Sequence, residues 1–430
     1  MILNTDPPFS SRDVLSLSDE LAHLDADERA ERFDALAAGP KEAVFRQLTA
    51  AHQQELLDQL DRDTLTGLLE LLDPDDRVHL FEELPAEFAK ALRERLSPKE
   101  QALTDRLLEF PAESAGRIMS PEFLALSPPM RADEALARVR REGRDVETVF
   151  VLPVTDDENR LLGMVTLTDL VFAEPDALVR DFMEIEHPVV HSDEDQELVA
   201  RLIQSADLLA IPVVDGENRL LGLVTVDDAM DVMAYEESED LARTGGAEPL
   251  GRPYFATSLF RLMRSRVVWL LLLALAATLT VQVLNTFESM LEEVVTLSLF
   301  IPLLIGVGGN AGAQSATTIV RALAVDDVRF GDLVRVMFRE FRVGLLLGAT
   351  LAALALLIVW LIFGQSMAII VSLSLVAICT LASLVGSVMP ILAIRFGVDP
   401  AVVSAPFVTT IVDATGLLVY FLIARAVLNV

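Results

Sequence analysis

Five long apolar stretches fill the C-terminal part of the chain. They cover residues 267–284, 294–323, 341–363, 367–394 and 401–427. Each approaches or exceeds the roughly 20 residues that a helix needs to cross the hydrocarbon core of a bilayer. The pattern therefore predicts an all-α transmembrane domain with five helices, within a chain long enough for several domains.

The second stretch has an unusual composition for a helix. After Pro302, four of the seven residues from 306 to 312 are glycine. They predict an interruption, since irregular backbone at membrane depth is tolerated where it is buried in protein or lines a water-filled cavity. A tight helix–helix contact through small residues is the alternative. Asn310 and Gln314, at helical spacing, favour a pore wall, to which we also assign Gly309 and Gly312.

The N-terminal part has a helical pattern. Between residues 10 and 110, apolar residues recur at helical spacing, as in Leu56, Leu57 and Leu60. Prolines such as Pro74 and Pro98 divide this pattern into short segments. Short helices divided in this way predict an all-α superhelical module.

An internal repeat follows. Residues 153–169 recur 59 positions later as residues 212–228, with 12 of 17 positions identical. Each copy predicts two short strands joined by a turn and followed by a helix. The string Gly-x-Val-Thr-x-x-Asp in each copy resembles a tandem pair of cystathionine-β-synthase (CBS) domains, which are α/β domains that usually dimerise. In that family the Asp can hold an adenosine ribose, which nominates Asp169 and Asp228; a pair that dimerises and transmits motion without nucleotide is the alternative.

Charge separates the two parts of the chain. The net charge is −31, and residues from 259 onward carry nine acids and ten bases, so residues 1–258 carry −32. A surface this acidic is not expected to bind nucleic acid or anionic lipid by charge. It is either a solvated surface or one that binds divalent cations.

The arginines also predict the orientation in the membrane. They precede the first apolar stretch and occupy the connection after the second. By the positive-inside rule the N-terminal part is cytosolic and the C-terminus external, in a multi-pass protein of the cytoplasmic membrane. Residues 1–30 are polar and acidic, so no cleavable signal peptide is expected.

Asp413 is the acid nearest the middle of any apolar stretch. A charge near the bilayer centre costs roughly 2.5–3.5 kcal/mol on insertion scales, so such a carboxylate is a functional-site hypothesis by default. Thr409 and Thr410 accompany it, and the arginines of these stretches lie near their ends. Asp413 therefore needs a cation or a second copy of itself, which indicates transport.

A second group of acids precedes the membrane part. On a helix, Asp228, Asp231 and Glu239 share one stripe, and Asp240 follows directly. Like charges three or four positions apart repel on a helix. The stripe is therefore either a solvated face or a site that bound cations relieve.

Several strings together resemble the MgtE family of magnesium channels over nearly the whole chain. Besides the two CBS copies they are ESAGRIM at 113–119, GGNAGAQSAT at 308–317, GVDPA at 397–401 and PFVTTIVDATG at 406–416. The resemblance implies a homodimer with five parts in each chain: a superhelical N-terminal domain (1–112), CBS domains at 113–176 and 177–235, a plug helix with its linker (236–262), and a transmembrane domain (263–430).

The resemblance also implies roles for individual residues. The family's pore Asp, which holds magnesium, matches Asp413, and the Asp at the cytosolic mouth of the pore matches Asp399. The regulatory magnesium ligands match Asp228, Asp231, Glu239 and Asp240. Ala405 stands where family members often carry a pore Asn, and the ligands from the N-terminal domain are left open.

These observations predict a function. It is a Mg²⁺-selective channel that cytosolic Mg²⁺ closes, with Mg²⁺ as cargo and regulator and an adenine nucleotide such as ATP as a candidate ligand. Mg²⁺ keeps several waters and binds few carboxylates, which suits one Asp per chain. The alternative is a secondary transporter of Mg²⁺, Co²⁺ or Mn²⁺ regulated by nucleotide at the CBS pair. Neither a nucleophile–base pair nor a P-loop is found, so no enzyme is expected.

Overall fold

The computed structural model describes residues 11–84, 86–144, 146–250, 254, 257–325, 327–403 and 405–429. Residues 1–10 of the predicted N-terminal domain, and residues 251–253, 255 and 256 of the predicted linker, lie outside the described residues. The chain forms two compact units, Met1–Glu236 with Gly251–Thr257 and Glu237–Leu250 with Ser258–Val430. The fold class is confirmed: an N-terminal helical domain, an α/β CBS pair, and a helical region with five apolar candidate spans.

The first unit begins with short helices that end where the sequence predicts breaks. Pro74 and Pro98 each occupy the first turn of a helix, where the missing N–H of proline costs nothing. Leu56, Leu57, Leu65 and Leu68 are buried in one core, which confirms the helical spacing. The helices are α1 (Ser11–Ala22), α2 (Ala26–Asp34), α3 (Ala38–Gln47), α4 (Ala50–Gln59), α5 (Arg62–Leu69), α6 (Pro74–Glu83), α7 (Ala86–Arg93) and α8 (Pro98–Leu108).

The repeat forms two similar α/β halves. Each half contains an antiparallel strand pair in which its Pro faces an apolar residue, Pro153 opposite Met164 and Pro212 opposite Leu223. The elements are α9 (Ala115–Ile118), α10 (Ala132–Glu142), β1 (Val151–Thr155), β2 (Leu161–Thr166), α11 (Leu167–Phe172), α12 (Val179–Phe182), β3 (Val190–His191), α13 (Gln196–Ser205), β4 (Ala210–Val214), β5 (Leu220–Thr225) and α14 (Val226–Thr244). Strand β3 runs parallel to β4, which gives the order β3-β4-β5.

The two halves bind each other through equivalent residues. Asn159 and Asn218 both adopt positive φ, a conformation that Asn tolerates better than most residues. The side-chain amide of Asn159 donates to the Leu220 carbonyl at 2.8 Å, and that of Asn218 donates to the Leu161 carbonyl at 3.0 Å. These reciprocal bonds show a pseudo-two-fold arrangement of the CBS pair.

The second unit contains the apolar helices. Five segments are long and apolar enough to cross a membrane: Leu259–Thr286, Val295–Ala324, Phe330–Phe363, Gln365–Arg395 and Ala405–Leu428. The helices are α15 (Leu259–Thr286), α16 (Glu288–Glu293), α17 (Ile301–Ala324), α18 (Leu333–Phe363), α19 (Gln365–Arg395) and α20 (Ala405–Leu428), with 3-10 turns at Val295–Phe300 and Phe330–Asp332.

The predicted interruption of the second span is wrong. Helix α17 runs unbroken through the four glycines, and Pro302 lies in its first turn. The glycines instead allow close packing between α17 and its neighbours. A β-carbon at Gly308 would lie 2.5 Å from Ile378 Cγ2 of α19, and one at Gly386 of α19 would lie 2.2 Å from the Gly312 carbonyl oxygen of α17. A tight contact between helices through small residues therefore accounts for these glycines. The assignment of Gly309, Asn310, Gly312 and Gln314 to a pore wall stays a prediction.

Candidate metal centres

Asp413 lies on α20, half-buried between the buried residues Val412 and Ala414. Helix α17 approaches it closely at Gly309, where a β-carbon would lie 3.4 Å from Thr409 Cγ2 and 3.8 Å from Asp413 Oδ1. None of the ion pairs among the described residues involves Asp413. The carboxylate thus lies beside a helix contact, and no described basic side chain pairs with it.

The other predicted pore residues are divided between two helices. Asn310 and Gln314 are exposed on α17, whereas Gly312 is buried there against Val408 and Val412. On α20, Ala405, Thr409 and Thr410 are half-buried. Both threonine hydroxyls donate to the Pro406 carbonyl at 2.9 Å, so their lone pairs remain available as acceptors.

Gln314 also lines a cavity of about 610 Å³, which is lined in addition by the acids Asp327, Asp332 and Glu340 and by Arg335 and Arg339. Glu340 lies on α18 within the third candidate span and accepts a hydrogen bond from Ser315 Oγ at 2.8 Å. Ser315 Oγ also lies 2.9 Å from the Ser383 carbonyl oxygen, so its single hydroxyl proton is shared between the two acceptors. Glu340 is half-buried, and no sequence pattern pointed to it.

Asp399 has a cationic neighbour that the sequence analysis missed. Arg243 Nη1 donates to Asp399 Oδ2 at 2.7 Å, and the same guanidinium pairs with Glu239. Asp399 Oδ1 accepts from the Ala401 backbone N–H at 2.8 Å. Glu239 is 6% exposed. A guanidinium therefore joins two of the carboxylates that the sequence nominated as magnesium ligands, and the i,i+4 spacing of Glu239 and Arg243 was the available signal.

Asp228 belongs to a group of three carboxylates. Asp75 and Asp76, in the first turn of α6, each place an oxygen within 4.8 Å of an Asp228 oxygen and of each other. Asp75 is 7% exposed, and its Oδ1 has no hydrogen-bond partner among the described residues. A buried acceptor without a donor costs free energy unless a cation or water satisfies it. We call Asp75, Asp76 and Asp228 the carboxylate triad; oxygen ligands of this kind suit Mg²⁺.

Burial shifts the acidity of this region. It raises the pKa of Asp228 to about 7. Burial, reinforced by the charge of Asp73, raises the pKa of Glu147 to about 8. Burial and the charge of Asp228 also raise the pKa of Asp75 well above its usual range. A raised pKa means that the surroundings disfavour the ionised carboxylate. A bound cation would offset that negative charge, so these surroundings favour cation binding at the triad.

The remaining nominated ligands lie outside the triad. Asp231 is exposed on α14, and its charge contributes to the raised pKa of Asp76, after burial and the nearby Asp73. Asp240 is half-buried on the same helix.

The two candidate nucleotide residues both cap helices. The Thr166 hydroxyl donates to Asp169 Oδ2 at 2.5 Å, and the Asp169 backbone N–H returns a bond to that hydroxyl at 3.0 Å. The Thr225 hydroxyl likewise donates to Asp228 Oδ2 at 2.5 Å. Asp228 thus has two candidate ligands, a nucleotide ribose and a cation in the triad.

Comparison with known proteins matches each part of the chain. A divalent cation transporter family model, MgtE, matches residues 301–423, the MgtE intracellular N domain matches residues 13–113, and CBS domain models match residues 115–176 and 179–235. The magnesium transporter MgtE of Thermus thermophilus is 41% identical over 81% of this chain and 77% of its own length. That of Bacillus subtilis is 30% identical over 97% of this chain and 94% of its own length.

A solved structure is similar to the cytosolic part. It is described as the cytosolic domain of the Mg²⁺ channel MgtE in complex with ATP, with 34% identity, a TM-score of 0.47, and coverage of 52% of this chain and 90% of that chain. A relative that is 41% identical over 81% of this chain, together with matches to the N-domain, CBS and transporter models, establishes the membership. The chain belongs to the MgtE family of divalent cation transporters.

Proposed function

We propose that this chain forms a Mg²⁺ channel of the cytoplasmic membrane, with Asp413 as the cation site of its pore. The observation that carries the proposal is the position of Asp413: it lies in the last candidate span, at a close contact with α17, outside every ion pair of the described residues. A carboxylate at membrane depth is expensive unless it serves an ion pathway or a proton relay.

The residues around Asp413 suit a hydrated ion. Mg²⁺ sheds water reluctantly and is usually held by one or two carboxylates with several waters retained. The acceptor lone pairs of Thr409 and Thr410 and the exposed amides of Asn310 and Gln314 can hold those waters. The homodimer that the family resemblance implies would supply a second Asp413. In keeping with this, the most apolar part of α15 has no buried residue, which leaves it for lipid or a second copy.

We further propose that cytosolic Mg²⁺ closes the channel, with residues before the first span in the cytosol and the C-terminus outside. The net charge of −32 on residues 1–258 repels itself when no divalent cation is bound. Mg²⁺ at the carboxylate triad relieves that repulsion within the first unit. Asp231 adds its charge to the same region of the first unit. In the second unit, Glu239, Asp240 and Asp399 would bind further ions, in competition with Arg243.

Nucleotide binding is a separate part of the proposal. A similar cytosolic domain has been solved in complex with ATP, and the CBS resemblance nominates Asp169 and Asp228 as ribose ligands. Because Asp228 is also in the triad, nucleotide and Mg²⁺ are expected to influence each other's affinity, and the coupling must be reciprocal.

The proposal is tested by Mg²⁺ flux into liposomes that contain the purified chain. Asp413→Ala is expected to reduce flux to near the level of empty liposomes while the protein keeps its folded, dimeric state. Glu288→Gln is the matched control. Glu288 is an exposed acid just after the C-terminal end of α15, the first candidate span. It should leave flux within about twofold of wild type, because the interaction of one exposed charge with an ion in the pore is weakened by water and salt. Flux of Asp413→Ala equal to wild type would refute the assignment.

Glu340 keeps the secondary-transporter alternative open to test. A coupled carrier needs a second ionisable site, and Glu340 is half-buried in a span with Ser315 as its donor. If Glu340 couples Mg²⁺ movement to a counter-ion, Glu340→Gln would abolish net flux and leave exchange. We expect Glu340→Gln to change flux and exchange in parallel, as an uncoupled channel requires.

A further inference from the structure

Arg46 extends from α3 toward the acidic residues around the carboxylate triad. Its Nη1 donates to Asp73 Oδ2 at 2.7 Å, and its Nε lies 3.2 Å from Asp76 Oδ2. Its Nη2 lies 3.9 Å from Asp227 Oδ2. The guanidinium is thus shared among three carboxylates on two segments of the chain.

One of those carboxylates is a member of the triad. Asp76 contacts Arg46 and also lies within 4.8 Å of Asp75 and Asp228 oxygens. The oxygen that faces Arg46 therefore belongs to a residue that a divalent cation would use. Asp75 is more than nine-tenths buried, and its Oδ1 has no hydrogen-bond partner among the described residues, so Arg46 leaves part of the triad unsatisfied.

The carboxylates around Arg46 favour the protonated, positively charged form of its guanidinium. Burial opposes the charged guanidinium, but Asp76 and Asp73, with Glu147 and Asp228, outweigh that effect and raise the pKa of Arg46 above its already high value. Arg46 is therefore a permanent cation at this site, and it differs from a bound ion in being covalently attached.

We propose that Arg46 is a built-in counter-ion that competes with the divalent cation for Asp76 and so sets the Mg²⁺ concentration at which the triad fills. This inference rests on the proposed function, in which the triad is a regulatory Mg²⁺ site. Without Mg²⁺, Arg46 holds α3 to the acidic residues and limits their repulsion. When Mg²⁺ binds, Asp76 turns from the guanidinium to the metal, and Arg46 keeps Asp73.

The test is hydrogen–deuterium exchange of the full-length chain in detergent, titrated with MgCl₂ and followed in peptides from α3 and α6. In wild type, Mg²⁺ should slow exchange of the α6 peptide. Arg46→Gln removes the competitor, so its half-maximal Mg²⁺ concentration should fall roughly fivefold or more, because a unit charge a few ångströms away is lost. Without Mg²⁺, the α3 peptide of the variant should exchange faster than in wild type.

Two further variants keep the result interpretable. Arg46→Lys keeps the charge but not the planar fork, so its midpoint should lie between those of wild type and Arg46→Gln. Arg32→Gln, which removes an exposed pairing with Glu20 in the same helical domain, is the matched control and should not move the midpoint. If Arg46→Gln does not fold, the test rests on Arg46→Lys: a midpoint below that of wild type supports the competition, and an equal or higher midpoint refutes it.

The possible failures are distinguishable. If wild type shows no Mg²⁺-dependent protection of α6, the triad is not a regulatory site and the inference falls with it. If wild type responds but Arg46→Gln has an unchanged or higher midpoint, the competition is refuted and Arg46 is a structural anchor. Neither result depends on flux through Asp413, which is measured separately.

Discussion

Asp413 and Asp399 are both carboxylates of the C-terminal unit, but their surroundings differ. Asp399 accepts a hydrogen bond from Arg243, which offsets its charge. Asp413 lies at a helix contact without such a partner among the described ion pairs. Environment rather than residue type separates the two: a guanidinium offsets the charge of Asp399, whereas a carboxylate within a candidate span that has no such partner is a functional-site hypothesis.

The acids of the first unit make a prediction about pH. Burial raises the pKa of Asp228 to about 7, and burial with the charge of Asp73 raises that of Glu147 to about 8. In the unfolded chain both values return to about 4. The folded state therefore holds protons that the unfolded state releases, so this contribution to stability is present at low pH and is lost as pH rises toward about 8.

We therefore expect the melting temperature of the metal-free first unit, measured within the full chain, to fall between about pH 6 and about pH 8.5. Glu147→Gln should flatten this slope, whereas Glu217→Gln, at an exposed position, should not. Mg²⁺ should stabilise more at the higher pH, because its ligands must be deprotonated. A melting temperature that rises over this range without metal would contradict the assignment.

Helix α17 shows what sequence patterns predict at the scale of an element. Its length and apolar character identified a membrane span, but its glycines were interpreted as a break. The structure keeps the helix because neighbouring helices fill the space that side chains would have occupied: Ile378, Val408 and Val412 pack against the glycines. A glycine costs a helix about 1 kcal/mol relative to alanine, which tight packing can offset. Sequence spacing alone does not report that packing.

The glycines of α17 are expected to differ in function. Gly308→Ala places a β-carbon 2.5 Å from Ile378 Cγ2 and should destabilise the chain by about 1–3 kcal/mol. Gly309→Ala meets Thr409 at 3.4 Å, an ordinary contact, so it should fold normally but reduce Mg²⁺ flux, since it lies beside Asp413. Thermal unfolding and flux measured on both variants test this.

Gly306→Ala is the control on the same helix, because a β-carbon there meets nothing within 4 Å in the described part of the chain. It should be neutral in stability. If Gly309→Ala conducts like wild type while Gly308→Ala and Gly306→Ala unfold at the same temperature, the distinction between packing and pore glycines is lost.

At the scale of the whole molecule, the sequence predicted more of the fold than of the sites. The repeat, the five apolar stretches and the family strings each predicted local elements. The structure has the strands and helices that the repeat and the apolar stretches predicted. Asp75, Asp76 and Arg46 were missed because they meet Asp228 or its neighbours through tertiary structure. Arg243 and Asp399 are 156 positions apart. Without a local motif, no pattern in the sequence brings such residues together.

The proposed gating also belongs to the whole molecule. Moving a two-state gate from mostly open to mostly closed requires a ligand to favour the closed state by about 5.5 kcal/mol. Several weak carboxylate sites supply this more readily than one tight site, and together they make closure depend steeply on Mg²⁺. Neutralising Asp228, Asp231, Glu239 and Asp240 together should therefore leave a conducting channel with most of its sensitivity to Mg²⁺ removed.

Single-channel recording of the purified chain in a defined bilayer tests the central claim most directly. Mg²⁺ is the sole permeant cation, and its concentration on the cytosolic face is raised from micromolar to about ten millimolar, roughly the range that weak carboxylate sites sense. We predict discrete Mg²⁺ currents at the low concentration, with an open probability that falls steeply as cytosolic Mg²⁺ rises. In the variant with Asp228, Asp231, Glu239 and Asp240 neutralised together, the open probability should stay high. An absence of Mg²⁺ currents, or an open probability indifferent to cytosolic Mg²⁺ in wild type, would contradict the account.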